Sequence, residues 1–127
     1  MAEITMADLQ QSLLSIAAES YRVKQVFSKV LGKIPEDEQK RYVSQFAWFE
    51  KKVNSALEKA GYHIVDITGQ PYDPGMAVTP LNLDDFGIEE ILYVQQMIEP
   101  IIMESDHIIK TGTVLLASAF SIVPEQN

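Results

Sequence analysis

The sequence contains no cysteine, and so disulfide bonds, zinc–thiolate centres and thiol nucleophiles are excluded. Histidines are also scarce: His63 lies in an apolar run and His107 in a turn-like segment, where packed or solvated imidazoles are the simpler interpretation. No phosphate-binding glycine loop, G-x-S-x-G or H-E-x-x-H pattern occurs. We therefore expect no enzyme activity, no catalytic residue, no cofactor and no metal site.

Basic residues are few, with 10 Lys and Arg against 18 Asp and Glu, which gives a net charge of −8. Nucleic acids and anionic membrane surfaces bind clustered Lys and Arg, and so we expect neither as a partner. Long apolar runs are lacking too, and residues 1–8 carry no basic segment of the kind that opens a signal peptide. These features predict a soluble cytoplasmic protein. The acidic pairs at 84–85 and 89–90 lack calcium-loop spacing, which favours a solvated loop.

Two stretches before residue 62 have the apolar spacing of amphipathic helices. Thr5 is suited to cap the first helix, with Asp8 in the capping-box position, and Gly32 to end it. Pro35 suits the start of the second helix and Gly61 its end. Apolar residues form one stripe on each helix: Leu9, Leu13, Ile16, Val23, Phe27 and Val30, then Tyr42, Phe46, Phe49, Val53, Ala56 and Ala60.

The two helices and their short link predict an antiparallel hairpin. A hairpin alone buries little apolar surface, and each helix carries further apolar residues beside its stripe: Leu14, Ala17, Ala18 and Tyr21, then Val43, Trp48 and Leu57. We favour a homodimer whose hairpins form a four-helix bundle. The alternative is that the second faces pack on this chain's own β part. The expected dimer interface consists of Leu13, Ile16, Val23, Phe27, Phe46, Phe49 and Val53.

After Gly61 the pattern changes to short β-rich segments separated by turns. We therefore predict an α+β fold, with a helical dimerisation hairpin over residues 1–60 and a small partner-binding β domain over residues 61–127. Residues 88–98 fit a helix or a strand, and extended chain is favoured. The other predicted segments are a strand at 62–67, a rigid turn at 70–75, an edge strand at 76–81, a polar loop at 82–87, turns at 105–107 and 111–112, and a central strand at 113–116.

The junction of the two halves has a specific sequence. It consists of the helix end Leu57-Glu58-Lys59-Ala60-Gly61, the short strand Ile64-Val65-Asp66 and the turn Gly69-Gln70-Pro71-Tyr72-Asp73-Pro74. This succession resembles the GrpE family, the nucleotide exchange factors of DnaK-type heat-shock chaperones. The resemblance extends over residues 10–118, and the junction is its one sharp match.

The resemblance implies a homodimeric co-chaperone whose β domain wedges open the nucleotide-binding cleft of a DnaK-type ATPase and so promotes ADP release. Such a role requires no catalytic residue. It also implies that the β domain contacts the ATPase through Val94, Gln95, Gln96 and Met97, while Tyr72 and Asp73 set its angle. A purely structural role for Tyr72 and Asp73 is an equal alternative.

Several family features are altered. The family's His-Glu-Ala after the Asp-Pro turn is replaced by residues 75–80, and residues 94–98 keep an apolar residue and a Gln but not the family's Lys, Gly and Tyr. We also expect the family's long N-terminal helical stalk to be missing. We expect a divergent, shortened member. The alternative function is a non-catalytic adaptor or scaffold that keeps the GrpE-like fold without exchange activity.

Overall fold

Within residues 3–119, which a computed structural model describes, two α-helices are followed by six β-strands in two three-stranded sheets. The expected α+β class is confirmed. The chain divides into two compact units between His63 and Ile64. The first unit contains both helices, α1 (Met6–Leu31) and α2 (Glu36–Lys59).

Helix α1 begins with the predicted capping box. The Thr5 N–H donates to Asp8 Oδ2 at 2.9 Å, and the Asp8 N–H donates to Thr5 Oγ1 at 3.1 Å. Two free N–H groups of the helix start are thereby satisfied. The helix stops before Gly32 as expected, but Gly32 has a right-handed backbone (φ −67°, ψ −10°), so a left-handed glycine is not what ends it.

Helix α2 begins after Pro35 and carries three acidic residues, Glu36, Asp37 and Glu38, in its first turn. Their negative charges interact favourably with the positive end of the helix dipole. At the other end Gly61 adopts the left-handed conformation (φ 86°) and donates its N–H to the Glu58 carbonyl at 2.9 Å. The prediction that Gly61 ends this helix is confirmed.

The helices form the predicted hairpin. The Phe27 and Phe46 rings stack with centroids 4.6 Å apart, and Lys24 Nζ lies 2.9 Å from Glu50 Oε2. Gln10 Nε2 donates to the Tyr62 hydroxyl at 3.0 Å. Later residues of α1 contact earlier residues of the second segment: Gln10 meets Tyr62, whereas Phe27 meets Phe46. The two helices therefore run antiparallel.

The strands that follow the helices have the following bounds: β1 Tyr62–Val65, β2 Val78–Pro80, β3 Leu92–Glu99, β4 Ile101–Glu104, β5 His107–Lys110 and β6 Gly112–Ser118. One sheet has the order β2-β6-β3 and the other β1-β4-β5. Strand β6 pairs parallel with β2 and antiparallel with β3. The predicted central strand at 113–116 is therefore confirmed, with Val114 and Leu116 fully buried.

Two of the predicted segments differ from the structure: one strand is shorter than predicted, and one predicted turn is absent. The edge strand at 76–81 contains only Val78–Pro80, and its proline sits on an outer strand where a missing donor is tolerated. The turn predicted at Thr111–Gly112 is wrong, because Gly112 is the first residue of β6 and the chain there passes from one sheet to the other. The sequence pattern did not distinguish a crossing between sheets from a hairpin turn.

The strand predicted at 62–67 is confirmed over Tyr62–Val65. Extended chain, favoured for residues 88–98, is confirmed for 92–98 within β3, whereas 88–91 form a turn and loop before this strand. The turn at Ser105–Asp106 joins the antiparallel strands β4 and β5. Residues 81–91 form a loop with one short 3-10 turn, Leu83–Asp85.

Candidate partner-binding surface

The turn at residues 69–74 is bonded along strand β3. The Gly69 N–H donates to the Val94 carbonyl at 2.7 Å, and the Val94 N–H donates back to the Gln70 carbonyl at 2.9 Å. The Tyr72 N–H donates to the Leu92 carbonyl at 2.8 Å. Because both sides of this turn bond to one strand, its backbone has a fixed position on the second unit.

Both flanks of this turn are held as well. On one side the Asp66 carboxylate accepts from the Thr68 N–H at 2.8 Å and from its hydroxyl at 2.6 Å. On the other side the Asp73 carbonyl accepts from the Met76 N–H at 2.9 Å, and the Asp73 N–H donates to Met76 Sδ at 3.2 Å. Asp73 thus organises the turn through its backbone, and its side chain remains exposed.

The four expected contact residues on β3 are not equally accessible. Val94 and Met97 are fully buried, and Met97 Sδ accepts a hydrogen bond from the Ile67 N–H at 3.2 Å. A register shift between Val94 and Gln96 brings these two side chains, three positions apart, to the same interior face. Val94 and Met97 are therefore core residues and present no side-chain surface to a partner.

Direct contact can involve only the remaining expected residues. Gln95 is exposed and Gln96 is half-buried on β3, while Tyr72 is half-buried and Asp73 exposed in the turn. Their role in binding a partner stays a prediction.

The expected dimer stripe of the helices is accessible in the single chain. Ile16 is 62% exposed, Val23 51% and Phe49 41%, and the other four members, Leu13, Phe27, Phe46 and Val53, are half-buried. The residues that are buried instead come from beside the stripe: Ala17, Ala18, Tyr21 and Leu57. The stripe is thus left open for another surface.

A further exposed apolar surface was not predicted from the sequence. It lies in residues 81–91, where four branched apolar side chains are solvent-exposed: Leu81, Leu83, Ile88 and Ile91. The sequence interpretation treated most of this segment as a polar loop because of its acids and glycine. The apolar residues of this segment could be read from the sequence, but their exposure could not.

Nothing in the described residues 3–119 forms a recognisable metal centre, since no group of three or more His, Asp or Glu side chains converges there. His107 Nδ1 lies 3.1 Å from Asp106 Oδ1, but both side chains are largely in solvent. In the same range of residues, neither α1 nor α2 combines the length and apolar character needed to cross a membrane.

Comparisons of this chain with protein-family models, with curated proteins and with solved structures give no match.

Proposed function

We propose that this chain is a GrpE-like co-chaperone that promotes ADP release from a DnaK-type ATPase. The observation that carries the proposal is the segment from Gly61 to Pro74. It has the residue order that resembles the GrpE family, and its Gly-Gln-Pro-Tyr-Asp-Pro turn is hydrogen-bonded along β3. A turn held in this way supports a β unit that acts as a rigid body.

Exchange by this route requires no catalytic group. A bound protein shifts an equilibrium only by its difference in affinity between two states. The β unit is proposed to bind the open, nucleotide-free ATPase more tightly than the closed, ADP-bound form. A tenfold preference corresponds to about 1.4 kcal/mol.

The helical hairpin is proposed to hold two copies together as a four-helix bundle. The support is the exposed stripe that includes Ile16, Val23 and Phe49, because monomeric proteins seldom leave large contiguous apolar surfaces in water. Within one hairpin, the stripe members Phe27 and Phe46 stack on each other.

Light scattering tests the dimer. At micromolar concentration the expected mass is twice the 14.3 kDa of one chain. The double variant Ile16→Glu, Val23→Glu should give the single-chain mass, whereas Gln11→Glu, which adds a charge at an exposed polar position of α1, should remain dimeric. A wild-type mass of one chain would contradict the four-helix bundle.

Stopped-flow fluorescence tests the exchange activity. The DnaK-type ATPases of the same organism are loaded with fluorescent ADP and mixed with excess unlabelled nucleotide and increasing amounts of this protein. The expected result is a saturable increase of about tenfold or more in the release rate. Unchanged release at saturating protein, for every such ATPase, would reject the exchange function.

The adaptor function remains the second candidate, because residues 94–97 present only Gln95 and Gln96 as accessible side chains on β3. The same experiment separates the two functions. An adaptor would bind an ATPase in a titration without accelerating nucleotide release, whereas an exchange factor would do both.

A further inference from the structure

The charge of this protein is unevenly divided. Residues 64–127 contain ten Asp and Glu, one Lys and no Arg, a formal charge of −9, whereas residues 1–63 contain eight acids and nine bases, a charge of +1. The one base of the second unit, Lys110, has its ammonium 3.6 Å from Glu99 Oε1. The β-strand unit is therefore a strongly anionic body.

Residues 81–91 combine this charge with the exposed apolar surface. Ile88 is completely exposed, Ile91 is 65% and Leu81 61% exposed. The acids between them are Asp84, Asp85, Glu89 and Glu90. Among the ion pairs formed within residues 3–119, none involves these four carboxylates.

The ends of this segment are fixed to strand β6 and to the residue that follows it. The Leu81 N–H donates to the Val114 carbonyl at 2.9 Å, and the Ala119 N–H donates to the Ile91 carbonyl at 2.7 Å. Next to the first of these bonds, the Asn82 side chain makes two hydrogen bonds to the Leu116 backbone. The exposed apolar side chains are thus carried by a segment that is tied down on both sides.

Turns within the segment hold it further. The Gly87 N–H donates to Glu90 Oε2 at 2.7 Å, and the Glu90 N–H donates to the Gly87 carbonyl at 3.1 Å. Ile88 lies between these two residues, at the tip of the turn. A surface that is ordered before binding loses little conformational entropy when it is covered, and so its apolar area is available as binding energy.

The negative charge of the β unit determines what kind of partner surface can cover the exposed segment at 81–91. A second copy of the β unit would bring a charge of −9 against −9, which opposes association. A surface with an apolar depression ringed by Lys and Arg would bury the isoleucines and pair with the carboxylates around them. Opposite charges at the rim of an interface also raise the association rate.

We propose that residues 81–91 are the docking segment of the β unit and insert Ile88 and Ile91 into an apolar, Lys- and Arg-rimmed depression on the DnaK-type ATPase. This inference rests on the proposed co-chaperone function. It assigns the main apolar contact to this segment, while Gln95 and Gln96 on β3 remain polar contacts.

The test is a calorimetric titration of the nucleotide-free ATPase with wild type and matched variants. The double variant Ile88→Ser, Ile91→Ser is expected to weaken binding by about tenfold or more. The control Ile108→Ser changes a half-exposed isoleucine on β5 and should stay within about twofold of wild type. Thermal melts should agree between wild type and the loop variant, since these side chains are mostly in solvent.

The charges are tested separately through salt dependence. Asp85→Asn with Glu89→Gln should weaken binding at low salt by about threefold or more and flatten the decrease of affinity with ionic strength. The control Glu104→Gln with Asp106→Asn removes the same number of exposed charges from the β4–β5 hairpin and should change binding less.

The outcomes are distinguishable. If wild type binds and accelerates release but the loop variants match it, or if the hairpin controls weaken binding equally, the docking segment is refuted and the co-chaperone function stands. If wild type binds none of the ATPases, the function fails and the docking segment fails with it. If the Ile88, Ile91 variant changes only the self-association of the free protein, a second copy occupies this surface and the proposal is overturned.

Discussion

The side-chain amide of Asn82 forms two hydrogen bonds with the backbone of Leu116. Asn82 Nδ2 donates to the Leu116 carbonyl, and Asn82 Oδ1 accepts from the Leu116 N–H, both at 2.9 Å. Strand β2 ends at Pro80, and so this side chain takes over pairing with β6 where the backbone of β2 has stopped. Asn82 therefore has a structural role: it ties the start of the loop at 81–91 to β6.

We predict that Asn82→Asp destabilises the protein by about 1–3 kcal/mol. The substitution keeps the shape of the side chain but replaces the donor to the Leu116 carbonyl with an anionic oxygen, which repels it. Urea unfolding monitored by circular dichroism measures the change. Gln70→Glu makes the same amide-to-acid change at an exposed position and should leave the free energy of unfolding within about 0.5 kcal/mol of wild type. Equal stabilities for the two variants would contradict the role of Asn82.

Gly112 is predicted to tolerate no side chain. A Cβ atom built there would lie 2.8 Å from Met97 Cε, 3.0 Å from the Glu99 carbonyl oxygen and 3.1 Å from Ile101 Cγ1. The Gly112→Ala variant must move β3 or its core methionine, at a cost of about 1–3 kcal/mol. Gly87→Ala, whose Cβ would approach only the Glu90 side chain at 3.8 Å and beyond, is the control. Denaturant midpoints of the two variants give the comparison, and an unchanged midpoint for Gly112→Ala would refute the close packing.

Substitution of Gly61 should also destabilise the protein, but because of its backbone conformation and not because of close packing. No atom lies within 4 Å of a Cβ built there, but its φ of +86° is a left-handed conformation that side chains disfavour. Gly61→Ala is therefore expected to cost about 1–2 kcal/mol. Gly61→Asn should cost less, because Asn tolerates this conformation better than Ala does. Thermal unfolding of both variants distinguishes backbone strain from packing, since a packing cause would make the larger Asn the worse substitution.

Asp8 should link the stability of helix α1 to pH. The Thr5 backbone N–H, and then the Thr5 side chain, hold the pKa of Asp8 below its ordinary value of 3.8. A lowered pKa in the folded state means that the ionised carboxylate adds stability above the unfolded pKa, and that this stability is lost as pH falls through the folded value. The free energy of unfolding of wild type minus that of Asp8→Asn should thus be constant near neutral pH and decrease below about pH 4.

Unfolding free energies measured over the acid range in wild type, Asp8→Asn and Thr5→Ala test this linkage. Thr5→Ala should lower stability by about 1 kcal/mol, because it removes the hydroxyl that accepts from the Asp8 N–H. A difference between wild type and Asp8→Asn that does not change with pH would contradict the linkage.

Local signals in the sequence were sufficient for the helices and for one central strand. Thr5 with Asp8 and the glycine at position 61 act within a few residues of themselves, and so their effects could be read without knowing the fold. The apolar run at 113–116 predicted a central strand, and β6 is paired with a neighbour on both edges.

Features that depend on distant partners could not be predicted in the same way. The burial of Val94 and Met97 results from a register shift of β3 against β6, which no local pattern specifies. On the helices, the sequence identified two apolar faces but could not determine that Ala17 and Tyr21 would be buried while Ile16 remained exposed. The exposure of the isoleucines in residues 81–91 could not be predicted either, because a sequence does not show which apolar residues remain outside the core.

Strand β6 follows both of its neighbours in the sequence, yet it is the only strand of its sheet that bonds to either of them within residues 3–119. Val78 pairs with Gly112 and Leu92 with Ser118, so β2 and β3 both lack their strand partner until β6 has been synthesised, although the earlier turn at 69–74 also bonds to β3. Pairings between residues far apart in sequence form late. The three-stranded sheet can therefore form only after β6 has been synthesised, when one strand supplies the pairing edge for both β2 and β3.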